Sequence, residues 1–468
     1  MIIAALAVFA VIGIIALIIL EERGRPEVIL LVVLGFILVD ALLFPDGGNE
    51  PPGIFRLTIL GHDYRTADLL IVLGLVARLA SRGLPRRVTG TGLLWGTFFA
   101  VFVLAAPLGL ANGHSSTLVI FQTKFVLETG GMAVLVAGVA LSKLTSPSFI
   151  GKTAWFVGML SIVPIIFGSL GKAEYLPLPH GAGFANQGLG ADTATVLLSF
   201  GFLLMMVEVC SRHPRVGVIM WCGLLIICPI FTGQRAALIG MVVTLSCVAV
   251  VMLGRRWRQR SPARLTQLLP VIACVVIPLG TIALLNARTS PASSSIPVVS
   301  SLGGRFGGTG KTQSANVRLT VWTLGRHLAE ERPVFGWGLG QDFNVFQSNG
   351  SEDPFTGGDF HDIAIDLAVT TGVTGLALFG FALTASLWSA FVTWRIGRNG
   401  AISAMALAAG ILILQLIAKG LFESVFQKYR LALIFGLFIG IIAAAARTQD
   451  RDAVESGVES DVREPAWT

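Results

Sequence analysis

Between Asn316 and Leu376 the sequence collects Arg318, Arg326, His327, Asp359, His361 and Asp362, inside a chain that is otherwise strongly apolar. These residue types point to two kinds of work. An arginine offers five donors in a fixed fork and can grip a phosphate or pyrophosphate bidentately. A histidine, with an ordinary pKa of about 6.5, can take a proton from a hydroxyl at neutral pH. His361 opens the stretch HDIAIDLAVTTG, with Asp359, Asp362 and Asp366 beside it. Each of these three aspartates can orient an imidazole or cap a helix. Asp362 fits the cap better, because a carboxylate is favoured at a helix N-terminus. On position alone, His361 is equally well explained as a polar residue at a membrane interface.

Arg235 lies in FTGQRAAL, at the start of an apolar segment. It can snorkel to lipid headgroups, or it can bind an anion together with the free N–H groups of a helix start. Arg318 stands four residues before Trp322. Singly it suits a solvated helix face; beside Arg235 on one side of a membrane it supplies a second grip on a diphosphate. Arg326 and His327 suit the surface. Lys124 and Glu128 are four residues apart, as are Lys419 and Glu423, and such spacing permits ion pairs that let a membrane helix tolerate charge. Lys124 and Lys419 stay candidates for contact with a substrate phosphate or glycan, with Trp322, Asp359 and Asp362.

The elements that must position these groups are membrane helices. The chain has 468 residues, 54% hydrophobic and 13% charged, with a mean hydropathy of +0.78. Soluble domains carry roughly a quarter charged residues. Apolar runs recur from Ile2–Leu20 to Tyr429–Ala446, about 12–13 of them long enough to cross a bilayer core. Helices satisfy their own backbone hydrogen bonds in lipid, so the expected fold is an all-α polytopic membrane protein. The runs that matter below are Ala67–Ala80, Leu93–Leu110, Phe121–Leu141, Asp362–Thr393, Ala401–Gly420 and Tyr429–Ala446. Asp362–Thr393 is long enough to begin outside the bilayer or to tilt.

With thirteen spans the Lys/Arg-rich short loops all fall on one side, which is then cytoplasmic. The long loop 287–361 faces outward and the C-terminus inward, in a cytoplasmic (inner) membrane. Within that loop, Val317, Val321, Leu324 and Leu328 recur at helical spacing up to Pro333, predicting an amphipathic helix on or near the outer membrane surface. Residues 1–230 read as N-terminal transmembrane helices and 231–446 as a region containing the long loop. The polar tail 447–468 is expected to be disordered in the cytoplasm.

The net charge of +7 is accounted for by this orientation signal, so no nucleic acid is expected. The five cysteines form no CxxC pair and suit small core positions. No Walker A sequence, HExxH, Cys/His cluster, GxSxG elbow or outer DxD pair is present, so neither a metal nor a cofactor is implied. The energy for a reaction must come from its substrate, and a lipid-linked diphospho-sugar carries it.

At these residues the chain resembles the O-antigen ligase/polymerase family of bacterial envelope glycosyltransferases. The likeness rests on TGQRAAL opening a span, on Arg318, Trp322 and RPVFGWGLG in the long outer loop, and on His361 with TTGVTGL at the following helix, from Phe231 to Phe379. The family often has Ser before the first Arg and Asn after the His, where this chain has Gln234 and Asp362. The resemblance implies a GT-C-like architecture and metal-independent, inverting transfer. The donor would be a polyprenyl-pyrophosphate glycan (undecaprenyl in type), and the acceptor a hydroxyl of a saccharide, lipid or other molecule. Arg235, Arg318 and His361 would be catalytic, with His361 deprotonating or positioning the hydroxyl. A ligase and a repeat-unit polymerase are equally compatible with the motif. A transporter or flippase for a lipid-linked saccharide is the alternative class, although the ionisable groups gather at the outer edge and no internal repeat is visible. A scaffold of an envelope-synthesis complex, docking through the long loop, is a further one.

Overall fold

The computed structural model describes residues 56–59, 62–82, 89–139, 310–341, 360–397, 400–422 and 428–461, with isolated positions elsewhere. A short antiparallel hairpin, β1 (Arg56–Ile59) and β2 (His62–Arg65), precedes α1 (Thr66–Arg82). α2 (Gly90–Ala111) follows, then α3 (Ser116–Ala137), which is continuous but passes through a π-helical turn at Val126–Gly131. α4 (Gly310–Glu331), α5 (Ile363–Ile396), α6 (Gly400–Gly420) and α7 (Tyr429–Asp461) complete the set. Among the described residues the fold is helical apart from the hairpin. Five of these helices are long and apolar enough to cross a membrane: α2, α3, α5, α6 and residues Tyr429–Gln449 of α7. They coincide with five of the six apolar runs singled out above; the expected spans before residue 56 and between residues 142 and 309 lie outside the described residues apart from isolated positions, as do Arg235 and Asp359.

The core forms where α5 packs on α2, α6 and α7, and α7 on α3. Trp95 of α2 is its hub: it is buried against Phe98, Phe99, Phe379 and Phe435. Its indole N–H donates to Ser386 Oγ at 2.8 Å, which satisfies the one polar group such a ring carries inward. Gly436 and Gly440, one helical turn apart, let α7 approach the α3 backbone, where a Cβ at either would run into Thr129 or Val136. Thr129 Oγ1 donates to the Ala432 carbonyl at 3.0 Å across that seam. Small residues at a helix crossing are how apolar helices pack closely in lipid.

α5 is broken. Gly372 has φ 68° and ψ −170° inside it, a conformation essentially confined to glycine. The 34 residues of α5 would span about 50 Å if straight, far more than a bilayer core. The break divides it into an end piece, Ile363–Thr371, and a membrane-length helix.

The break also frees backbone groups, and the chain after α4 takes them. Trp337 N–H donates to the Val369 carbonyl at 2.7 Å, Gly338 N–H to Thr370 at 3.0 Å, and Val373 N–H to Pro333 at 2.7 Å. On its other side this segment donates from Leu339 N–H to the Ala105 carbonyl of α2 at 2.9 Å. Gly336, Gly338 and Gly340 all have positive φ, and Gly338 lies where a Cβ would meet the Gly109 backbone. Irregular chain is thereby wedged between two membrane helices with its polar groups satisfied by protein, the condition under which a bilayer tolerates it.

The helix in the long loop forms, and Val321 on its apolar face is buried with Phe360 and Val369, flanked by Leu328, Ala329, Trp337 and Ile365. One expectation needs correction. The tail expected to be disordered is helical as far as Asp461. α7 simply continues, and Gln449 Nε2 donates to the Thr393 carbonyl at 2.5 Å, tying its extension to the end of α5.

Candidate active site at one end of the bundle

His361 immediately precedes α5 and carries φ 53°. Among the described residues it is the one non-glycine with a positive φ, a conformation that side-chain sterics disfavour by about 1–2 kcal/mol. Two aspartates hold the backbone around it. Asp362 is the N-cap of α5, its Oδ1 accepting from Ala364 N–H at 2.8 Å and Ile365 N–H at 3.1 Å. Asp366, one turn later, accepts from Phe360 N–H at 2.9 Å. The Phe360 ring is buried under α4 with Val321. His361 is therefore clasped by a cap after it and an anchored residue before it, with its imidazole half-buried.

α4 carries Arg318 and Trp322 to the same end. The Trp322 ring lies 6.4 Å from that of Phe422, just beyond α6. Phe422 N–H donates to the Lys419 carbonyl at 3.0 Å, and the Lys419 side chain is 1% exposed. The guanidinium Nε of Arg318 and the indole Nε1 of Trp322 are both buried without a hydrogen-bond partner among the described residues. Orphaned donors of this kind are costly to bury, and their chemistry suits an anionic or polyhydroxyl ligand. Arg318, Trp322, His361 and Lys419 thus share one end of the bundle, although they come from three separate stretches of sequence.

Lys124 belongs to a different group. It lies on α3 one turn before Glu128, which sits in the π-helical turn. The sequence suggested a simple Lys124–Glu128 pair. The structure adds Asp68 of α1, whose carboxyl hydrogen-bonds that of Glu128, with the charges of Lys124 and Arg65 acting on both. Asp68 also accepts from Arg65 N–H at 3.0 Å, and the Arg65 guanidinium stacks 3.3 Å over the Tyr429 ring. Asp68 and Glu128 are 2% and 4% exposed, so this cluster ties α1, α3 and α7 together from inside. Arg326 is exposed and His327 pairs with Glu331 at 3.4 Å on the surface of α4, as their positions suggested.

Sequence reasoning missed Asn112 and Arg332. Arg332 Nη1 donates to Asn112 Oδ1 at 2.8 Å while its guanidinium stacks 3.9 Å over Trp337. Asn112 Nδ2 in turn donates to the Trp337 carbonyl at 2.7 Å. The RPVFGWGLG segment carries a cue in its Arg, Trp and glycines, but nothing local in sequence links it to the end of α2.

A wedged glycine-rich segment, a helix broken at TTG and a strained histidine lie together at one end of a membrane bundle. Residues 220–380 match the O-Antigen ligase family model. That interval is roughly a third of the chain and supports the resemblance to the O-antigen ligase/polymerase family. The O-antigen ligase interval holds Arg235, Arg318, Trp322 and His361, whereas Lys124, Lys419 and the Asp68–Glu128 cluster fall outside it. No curated protein matches the chain.

Proposed function

We propose that the protein is a glycosyltransferase of the O-antigen ligase kind, working at the outer face of the cytoplasmic membrane. Its donor is a glycan on a polyprenyl pyrophosphate, undecaprenyl in type, and its acceptor is a hydroxyl. That hydroxyl attacks the anomeric carbon from the face opposite the leaving group. A new C–O bond forms, the bond from the anomeric carbon to the pyrophosphate oxygen breaks, and the configuration inverts. His361 takes the acceptor proton. Arg318 and Arg235 neutralise charge growing on the pyrophosphate, an electrostatic stabilisation that needs no metal.

The observation that carries this reading is the gathering of His361, Arg318, Trp322 and Lys419 at one end, with the Arg318 and Trp322 donors buried and unsatisfied. Orientation is supported by the opposite end, where Arg78 and Arg447 donate to the last carbonyls of α3 and Arg395 closes α5. Cations belong near helix C-termini and in cytoplasmic loops. At the His361 end, Lys419 and Arg430 are instead buried, at 1% and 2% exposure.

The test is transfer from the polyprenyl-pyrophosphate glycan pool of native membranes, comparing wild type with His361→Ala, Arg235→Ala and Arg318→Ala at matched protein levels. The expected result is transfer by wild type, insensitive to EDTA, and loss in all three variants. Product length separates a ligase from a repeat-unit polymerase. Variants that transfer like wild type would sink the assignment and turn attention to lipid-linked saccharide transport.

A further inference from the structure

We infer that Asp366 is a positioning residue for His361, acting through the backbone and not through its charge. The inference rests on the proposed role of His361.

Four observations converge on it. His361 holds a left-handed backbone, φ 53°, which an L-residue keeps only when its surroundings over-determine it. Asp366 Oδ1 accepts the Phe360 N–H at 2.9 Å, reaching back from the first turn of α5 across His361. Asp366 N–H itself donates to the Asp362 carbonyl at 2.8 Å, so the carboxylate stands on a helical turn already fixed by the Asp362 cap. Phe360 is also pinned through its ring, 1% exposed beneath α4. The residue before His361 is thus held at its N–H by Asp366 and at its side chain by Val321 of α4. The residue after it is the cap.

Without the Asp366 acceptor, the Phe360 amide loses its partner and the chain at 361 can relax toward negative φ. That relaxation swings the imidazole away from a direction set by the strained backbone. A misplacement on the order of 1 Å at a reacting group costs about 100-fold in rate. Asp366 needs only an oxygen at this position for the task. An asparagine, whose amide oxygen still accepts, should do it nearly as well.

The experiment measures kcat and the donor KM for wild type, Asp366→Ala, Asp366→Asn and His361→Ala, with the native polyprenyl-pyrophosphate glycan pool as donor. The expected result is a fall in kcat of about 100-fold for Asp366→Ala with donor KM within about twofold of wild type. Asp366→Asn should retain at least half of the wild-type kcat. An Asp366→Ala enzyme that turns over like wild type while His361→Ala is inactive would overturn the positioning role alone. Equal losses in Asp366→Ala and Asp366→Asn would overturn it too, by showing that the charge is what matters. Wild-type turnover in His361→Ala would instead defeat the proposed function beneath it. Should Asp366→Ala not accumulate in the membrane, Asp366→Asn against Asp366→Glu decides. The longer stem of glutamate displaces the oxygen, so activity equal in the two variants overturns the inference.

Discussion

The Trp337 amide donates to the Val369 carbonyl at 2.7 Å, joining the glycine-rich segment after α4 to the helix break three residues further along α5. The two most recognisable motifs after Arg318, RPVFGWGLG and TTGVTGL, are therefore two sides of one joint. Their glycines serve close backbone approach, and the candidate catalytic residues lie beside them. His361 is held at the start of the end piece that this joint orients.

Gly372→Ala should break that joint. Its φ of 68° with ψ of −170° excludes a side chain, and a Cβ would run into the Val334 carbonyl. The expected loss is about 3 kcal/mol or more, seen as a lower midpoint of thermal unfolding in detergent and reduced accumulation. An alanine variant as heat-stable as wild type would show that the break is not obligatory.

Asn112 joins α2 to the same segment through two hydrogen bonds, to Arg332 and to the Trp337 carbonyl. Asn112→Ala should cost about 1–2 kcal/mol. In a double-mutant cycle with Arg332→Ala, the coupling should reach about 0.5–1.5 kcal/mol. Strict additivity of the two thermal shifts would count against the bridge.

Arg318→Lys tests the guanidinium fork. A lysine keeps the charge but cannot present two parallel donors, so turnover should fall about tenfold or more while the unfolding midpoint stays near wild type. Full activity in the lysine variant would show that a point charge suffices.

Glu128→Gln should be tolerated, because an amide can still hydrogen-bond Asp68, whereas Glu128→Leu leaves the buried Asp68 carboxyl without that partner. Leaving a buried acceptor unsatisfied costs about 1–3 kcal/mol. Detergent-solubilised thermal midpoints of the two variants make the comparison, and equal midpoints would contradict the cluster.

Orientation is open to labelling in a background lacking the five native cysteines. Ser115 and Gly400 are both exposed, at opposite ends of the bundle. Ser115→Cys should react with an impermeant maleimide in intact cells, and Gly400→Cys only after permeabilisation. The reverse pattern would place His361 in the cytoplasm and end the outer-face assignment.

The sequence by itself determined the membrane class, the bounds of the long apolar helices, the helix of the long loop and the candidacy of His361 and Arg318. These properties are local: run length, hydrophobic period and residue type are read over a few turns, and a helix satisfies its own backbone wherever it is placed. Tertiary structure decided the rest. It set Val321 of α4 on Phe360 and Val369, and it carried α7 past Arg447 to Asp461. Asp68 joined the Lys124–Glu128 pair from α1, and Asn112 reached Trp337 across 225 positions. Asp366 was visible as an acid one turn into a helix, and its bond to Phe360 was not. Such pairings depend on which helix ends meet and on which backbone groups a break leaves open, and sequence spacing carries no record of either.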